Sequence, residues 1–105
     1  MDENLMDLRQ SLIKTSTRFL RAQRVYLDAA APNVGFPQSA LKEAARQYLK
    51  AAEPYDAALQ GLRQYLLAAE PSEVIVEELE RTERLIDALD KEKMVVLKLI
   101  AHYKE

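Results

Sequence analysis

The sequence predicts an all-α fold: an up-down-up bundle of three long amphipathic helices in a single domain, residues 1–105. Three observations carry that expectation. Apolar residues recur at alternating three- and four-residue steps along most of the chain, the pattern of one buried helix face. Proline interrupts the rhythm between Pro32 and Pro37 and again at Pro71. No stretch alternates with a period of two over a useful length, so no sheet is expected.

In the first third, Leu5, Leu12, Phe19 and Tyr26 stand seven residues apart, with Leu8, Thr15, Ala22 and Ala29 between them. They define a core stripe. A second row, Met6, Ile13, Leu20 and Leu27, widens the apolar face, as for a helix that touches two neighbours. A residue before proline is driven out of the α region, so this helix should end at Pro32 and PNVGFP should form a loop. Covering most of residues 3–31, it would measure roughly 40 Å.

Ser39 is placed to cap a second helix, with Glu43 in its first turn. From Leu41 through Tyr48, Tyr55, Leu62 and on to Ala69, apolar steps of four and three alternate without a fault. That phase runs straight through Pro54. A proline inside a helix loses one backbone hydrogen bond and clashes with the preceding turn, at a cost of about 3 kcal/mol. A hairpin at this point would have almost no loop and no reason to keep the phase. The middle helix is therefore expected to be kinked at Pro54, with a break into two short helices, and so four segments, as the alternative. Residues 55–71 resemble the second helix of a tetratricopeptide unit through Tyr55, Ala58, Leu59 and the closing proline, which favours the break. Against it, Arg46 stands where that pattern needs a small residue, and a single unit would lack stacking neighbours.

Pro71 and Ser72 supply a stop and then a cap for the third helix, with Glu73, Glu77 and Glu78 near its positive end. Ile75, Leu79, Thr82, Ile86, Leu89, Val96 and Ile100 keep heptad spacing towards Tyr103. Lys93 falls on this seam and is expected to snorkel past its own alkyl stem to water. The layout is similar to a spectrin repeat in helix length and order, although no residue signature carries kinship.

One phrase repeats. RVYLDAAAP at residues 24–32 returns as RQYLKAAEP at 46–54 and as RQYLLAAEP at 63–71. A seventeen-residue shift does not preserve a seven-residue phase, so the three copies cannot present one common face. The phrase reads as helix punctuation: an Ala- and Leu-rich turn, a snorkelling arginine, a half-buried tyrosine and a proline.

Composition narrows the function classes. Charged residues make up 30% and apolar residues 49%, the balance of a globular protein rather than a disordered one. A net charge of −2 leaves no bulk field that would draw the molecule to nucleic acid or acidic lipid. There is no cysteine, hence no disulfide, thiolate chemistry or Cys-based zinc pattern, which agrees with a reducing compartment. The start, MDENLMDL, is acidic where a secretory signal is basic, and MVVLKLIA at residues 94–101 is too short to span a bilayer, so a cytoplasmic protein is expected.

No constellation of catalytic residues is visible. His102 is the only histidine; it lacks the glutamate three residues earlier that a di-metal carboxylate bundle places before its histidine, since Leu99 stands there. Gly35 and Gly61 are the only glycines, too few for a phosphate-cradling loop. The expectation is a protein that is not an enzyme, with no metal, no cofactor and no small-molecule substrate.

Charge forms two rows. The first helix carries Lys14, Arg18, Arg21 and Arg24 with no acid between Asp7 and Asp28. The third carries Glu80, Glu83, Asp87 and Asp90 at similar spacing. First and third helices run parallel in an up-down-up bundle, so residues near 14–21 should lie level with residues near 84–91, and pairing across that interface is expected. The functional expectation is a non-enzymatic helical interaction module, such as an adaptor, an assembly factor or a small regulatory subunit. It would bind a protein partner or associate with itself, coiled-coil fashion, through Met6, Ile13, Leu20 and Leu27. The alternative is a binder of nucleic acid or an anionic surface through Lys14, Arg18, Arg21 and Arg24.

Overall fold

The computed structural model describes residues 3–31, Gly35 and residues 37–102. Three α-helices account for nearly all of them: α1 (Glu3–Ala30), α2 (Gln38–Ala68) and α3 (Glu73–His102). They lie side by side in a body of 50 × 24 × 20 Å, a long axis matching about 46 Å for a helix the length of α2. Helices α1 and α2 run antiparallel, with Leu8 against Gly61 at one end and Tyr26 against Tyr48 towards the other. Helix α3 runs antiparallel to α2, through Arg63 to Glu83 and Asp56 to Lys93. The up-down-up layout follows. Among the described residues there is no strand.

Of the loop PNVGFP, only Gly35 and Pro37 lie within the described residues; Pro32, the expected stop of α1, does not. Gly35 has a φ of +68°, the left-handed conformation in which a Cβ is strained. Helix α2 starts two residues earlier than a Ser39 cap would require. Pro37 is its N-cap, with no side-chain cap bond, and its carbonyl accepts from the Ala40 and Leu41 amides. A proline's φ already suits the entry to a helix, so the hydroxyl is not needed there. At α3 the expected cap is present: the Ser72 Oγ accepts from the Ile75 amide at 3.2 Å.

Helix α2 continues unbroken through Pro54, so the chain has three helical elements rather than four segments. Residues 55–68 are accordingly the second half of one helix, not the partner in a tetratricopeptide hairpin. The exposure of Pro54 explains how a proline is tolerated. Its ring and the Lys50 carbonyl, which it deprives of a donor, lie on the edge of α2 away from the core, where no packing is lost.

The core belongs to α2. Nine of its residues are buried, against three on α3 (Thr82, Leu89 and Val96) and two on α1 (Phe19 and Tyr26). The α2 positions are those of the four-three alternation from Ala45 to Leu66, joined by Ala44 and Ala58. Thr82, the one buried non-aromatic polar residue among the described residues, turns its hydroxyl back to the Glu78 carbonyl at 2.8 Å and so leaves no orphan donor. Phe19 stacks on Tyr55 (centroids 4.8 Å apart) and meets Tyr48 edge-on at 5.2 Å.

The second apolar row of α1 is not buried. Met6, Ile13, Leu20 and Leu27 are between 50 and 66% exposed. The reason is geometric: among the described residues, no Cα of α1 comes within 8 Å of a Cα of α3. Helix α1 therefore has one close neighbour, not two. Lys93 also departs from expectation. Its ammonium stands 3.7 Å from the Asp56 carboxylate of α2 instead of reaching only for water.

Because Pro54 is exposed and inside a continuous helix, Pro54→Ala should stabilise the protein by about 1 to 3 kcal/mol, read from urea or thermal unfolding.

Candidate interaction surfaces

Three helices meet at one carboxylate. The Tyr48 side chain is fully buried in the first half of α2, and its hydroxyl donates to Glu92 Oε1 of α3 at 2.6 Å. From α1, Gln23 Nε2 donates to the same oxygen at 2.8 Å. A buried phenol needs a partner for its hydroxyl, and Glu92, half-buried at the edge of the core, provides one that is charged. Burial pushes the Tyr48 hydroxyl far above the usual tyrosine value, and donation to Glu92 and its negative charge push it further. Tyr26 is raised by burial and then by Glu92, and Tyr55 by burial alone.

A second polar tie joins α1 to α3 near the other end, where Arg9 Nη2 donates to Glu78 Oε1 at 2.8 Å. Both ties span sixty-nine residues of sequence, Arg9 to Glu78 and Gln23 to Glu92. That offset places Lys14 level with Glu83 and Arg21 level with Asp90. The register between α1 and α3 is thus the expected one.

The pairing is not. Among the described residues no ion pair reaches Lys14, Arg18, Arg21 or Arg24; Glu83 pairs instead with Arg63 of α2 at 3.1 Å, and Asp87 with Lys91 of its own helix at 2.9 Å. The two charge rows lie on opposite edges of α2. Arg18 and Arg21 border one groove with Gln47, Lys50 and Pro54. Glu83, Asp87 and Asp90 border another with Gln60 and Arg63. A level register does not bring side chains together when they leave their helices on opposite sides. Nor do the four cations form one patch: Arg24 lines a different depression with Leu20, Leu27 and Asp28.

Two surfaces remain. The first is the seam between α1 and α3. Its floor is Phe19, Tyr55 and Leu89, and Leu20, Leu85 and Ala88 rise around a depression of about 240 Å³ crossed by the Gln23–Glu92 bond. The exposed row Met6, Ile13, Leu20 and Leu27 runs along the α1 side of this seam, while Leu85 and Val95 stand exposed on α3. The second is the groove between α1 and α2, about 590 Å³, with Ala22, Val25, Ala51 and Pro54 between the cationic rims.

Glu92 and the seam itself were not foreseen from the sequence. A lone glutamate one step from a heptad position carries no mark of which tyrosine or glutamine will reach it. Among the described residues no three His, Asp or Glu side chains gather as a metal site, and no helix is long and apolar enough to cross a membrane. Comparison with known protein families, characterised proteins and solved structures finds no match to this chain.

Tyr48→Phe keeps the ring and removes the bond to Glu92. It should cost about 1.5 to 3 kcal/mol in urea unfolding, the range for a hydrogen bond to a charged group. The buried tyrosines also set a pH dependence. Unfolded tyrosines ionise near pH 10. In the fold, Tyr26, Tyr48 and Tyr55 ionise only at higher pH, so above that point the native state holds protons that the unfolded chain has released. Stability should be complete below about pH 10 and fall as pH rises beyond it, less steeply in Tyr48→Phe.

Proposed function

We propose that the protein is a non-enzymatic helical interaction module, and that its α1–α3 face binds a second copy of the chain. The observation that carries this reading is the exposed row Met6, Ile13, Leu20 and Leu27 beside an open seam. Four large apolar side chains at seven-residue spacing make a continuous stripe, and such stripes on a soluble surface mark protein interfaces. The stripe is self-complementary. A two-fold axis crossing α1 between Ser16 and Thr17 sets Ile13 of one copy against Leu20 of the other, and Met6 against Leu27. By the sixty-nine-residue offset, the same axis passes α3 beside Leu85, itself exposed. Two antiparallel α1 helices would then pack as in a bundle, with the α3 flanks beside them.

The cytoplasmic setting and the role of adaptor, assembly factor or regulatory subunit belong to the same proposal. The reading of Lys14, Arg18, Arg21 and Arg24 as a nucleic-acid or anionic-surface site loses support from the separation of Arg24, and from the absence of an aromatic platform beside the others.

Light scattering on the purified protein at two concentrations and two salt levels tests the proposal. The wild type should give the mass of a dimer that survives high salt, and Ile13→Glu with Leu20→Glu should give a monomer. Both substituted side chains are exposed, so the variant's helical circular dichroism should be unchanged. A wild type that stays monomeric at its highest soluble concentration would contradict self-association. A dimer indifferent to the double substitution would place the interface elsewhere.

A further inference from the structure

We propose that the groove between α1 and α2 is a docking site for an acidic amphipathic helix of a partner protein. This does not depend on the apolar stripe, which lies on the other flank of α1. The groove has three properties that together specify its occupant.

First, its floor is made of small apolar groups. Ala22, Ala51 and Pro54, with Val25, lie where α1 and α2 cross, so a third helix can approach closely enough to set leucine-sized side chains between them. Second, its rims are cationic on both sides: Arg18 and Arg21 on α1, Lys50 on α2. Lys14 continues the α1 rim one turn further by its four-residue spacing. None of these four charges is spent on an ion pair among the described residues. Glu43, held by Gln47 at 2.8 Å, is one turn away towards the start of α2. Third, Pro54 supplies no amide proton to the Lys50 carbonyl, which leaves one backbone acceptor beside the groove for a donor on the partner.

The order of these layers decides between partner classes. Ala22 and Ala51 lie half-buried between the cationic rims, with Val25 and Pro54 exposed beside them. A flat bilayer could touch the arginines but would not follow the groove down to the alanines, whereas membrane-binding helices present their apolar groups outermost. Nucleic acid would find phosphate partners at the rims and nothing to stack on below. A helix with leucines along one line and glutamates flanking them matches both layers at once. The chain's own acidic row is a poor occupant, because Glu80, Glu83, Asp87 and Asp90 hold the central positions of that row and would set carboxylates against alanine.

Fluorescence anisotropy with two labelled amphipathic peptides tests the proposal. Both carry the same leucine line, one flanked by glutamates and the other by lysines. The acidic peptide should bind at least about tenfold more tightly at low salt, and added salt should narrow the gap. Arg18→Glu with Arg21→Glu should invert the preference. These side chains are exposed and unpaired, so the variant should fold, as circular dichroism will show; Lys50→Glu on the opposite rim provides an independent variant with the same expected loss. Ile13→Glu with Leu20→Glu should leave acidic-peptide binding intact, which separates this site from the seam. Equal affinity for both peptides, no binding of the acidic one, or binding abolished by the seam variant alone would each overturn the proposal. So would arginine-dependent binding to phosphatidylserine vesicles without binding to the acidic peptide.

Discussion

One carboxylate constrains the whole bundle. Glu92 of α3 accepts from the buried Tyr48 of α2 and from Gln23 of α1, so a single oxygen fixes the level of all three helices. Apolar packing alone does not do this well. The α2 stripe repeats every seven residues, and a neighbouring helix slid by one heptad would still meet leucine, alanine or tyrosine. A slide by one heptad would, however, leave the Tyr48 hydroxyl buried without an acceptor, at a cost of about 1 to 3 kcal/mol. The Arg9–Glu78 pair repeats the same offset near the other end, but it is partly exposed and worth less. The aromatic cluster of Phe19, Tyr26, Tyr48 and Tyr55 supplies the packing around this point.

The same tie explains the open seam. Helices α1 and α3 each lay one face on α2 and reach each other only through long polar side chains, Gln23 to Glu92 and Arg9 to Glu78. Their backbones stay apart, and the apolar flanks that a tighter bundle would close, Met6 to Leu27 on α1 and Leu85 with Val95 on α3, stay exposed. Helix α1 consequently has three distinct faces. One is packed on α2, one is apolar beside the seam, and one is cationic beside the outer groove. The two proposals concern different faces, and each would cover surface that the fold itself leaves open.

Much of this was legible in the sequence, for a physical reason. A residue buried between two neighbours must be apolar wherever it falls, and the unbroken four-three alternation of α2 therefore identified its core from Ala45 to Leu66. It also favoured one helix through Pro54 over a break there, because a chain that turned back would have had no need to keep the phase; the helix is continuous. Burial of α1 was harder to foresee. Met6, Ile13, Leu20 and Leu27 have the spacing of a buried row, but spacing does not record whether a neighbour is near enough to cover it. Charge was harder still. The level of α1 against α3 followed from topology, yet Lys14, Arg18 and Arg21 leave their helix on the side away from Glu83, Asp87 and Asp90. Glu92 was beyond reach, since its partners sit forty-four and sixty-nine residues away and nothing local marks them. The copies of the thrice-written phrase do not share one environment: Tyr26 and Tyr48 are buried and touch, whereas Tyr65 is half-buried elsewhere.

The central claim is that α2 holds the molecule together, while α1 and α3 pack on it and meet each other only through polar side chains. Native-state hydrogen exchange tests this most directly. Amides from Tyr48 to Leu66 should exchange only through global unfolding, and those around Met6 to Ile13 and in the first turns of α3 should exchange through smaller openings. Equal protection along all three helices, or an α2 that opens before α1, would contradict the account.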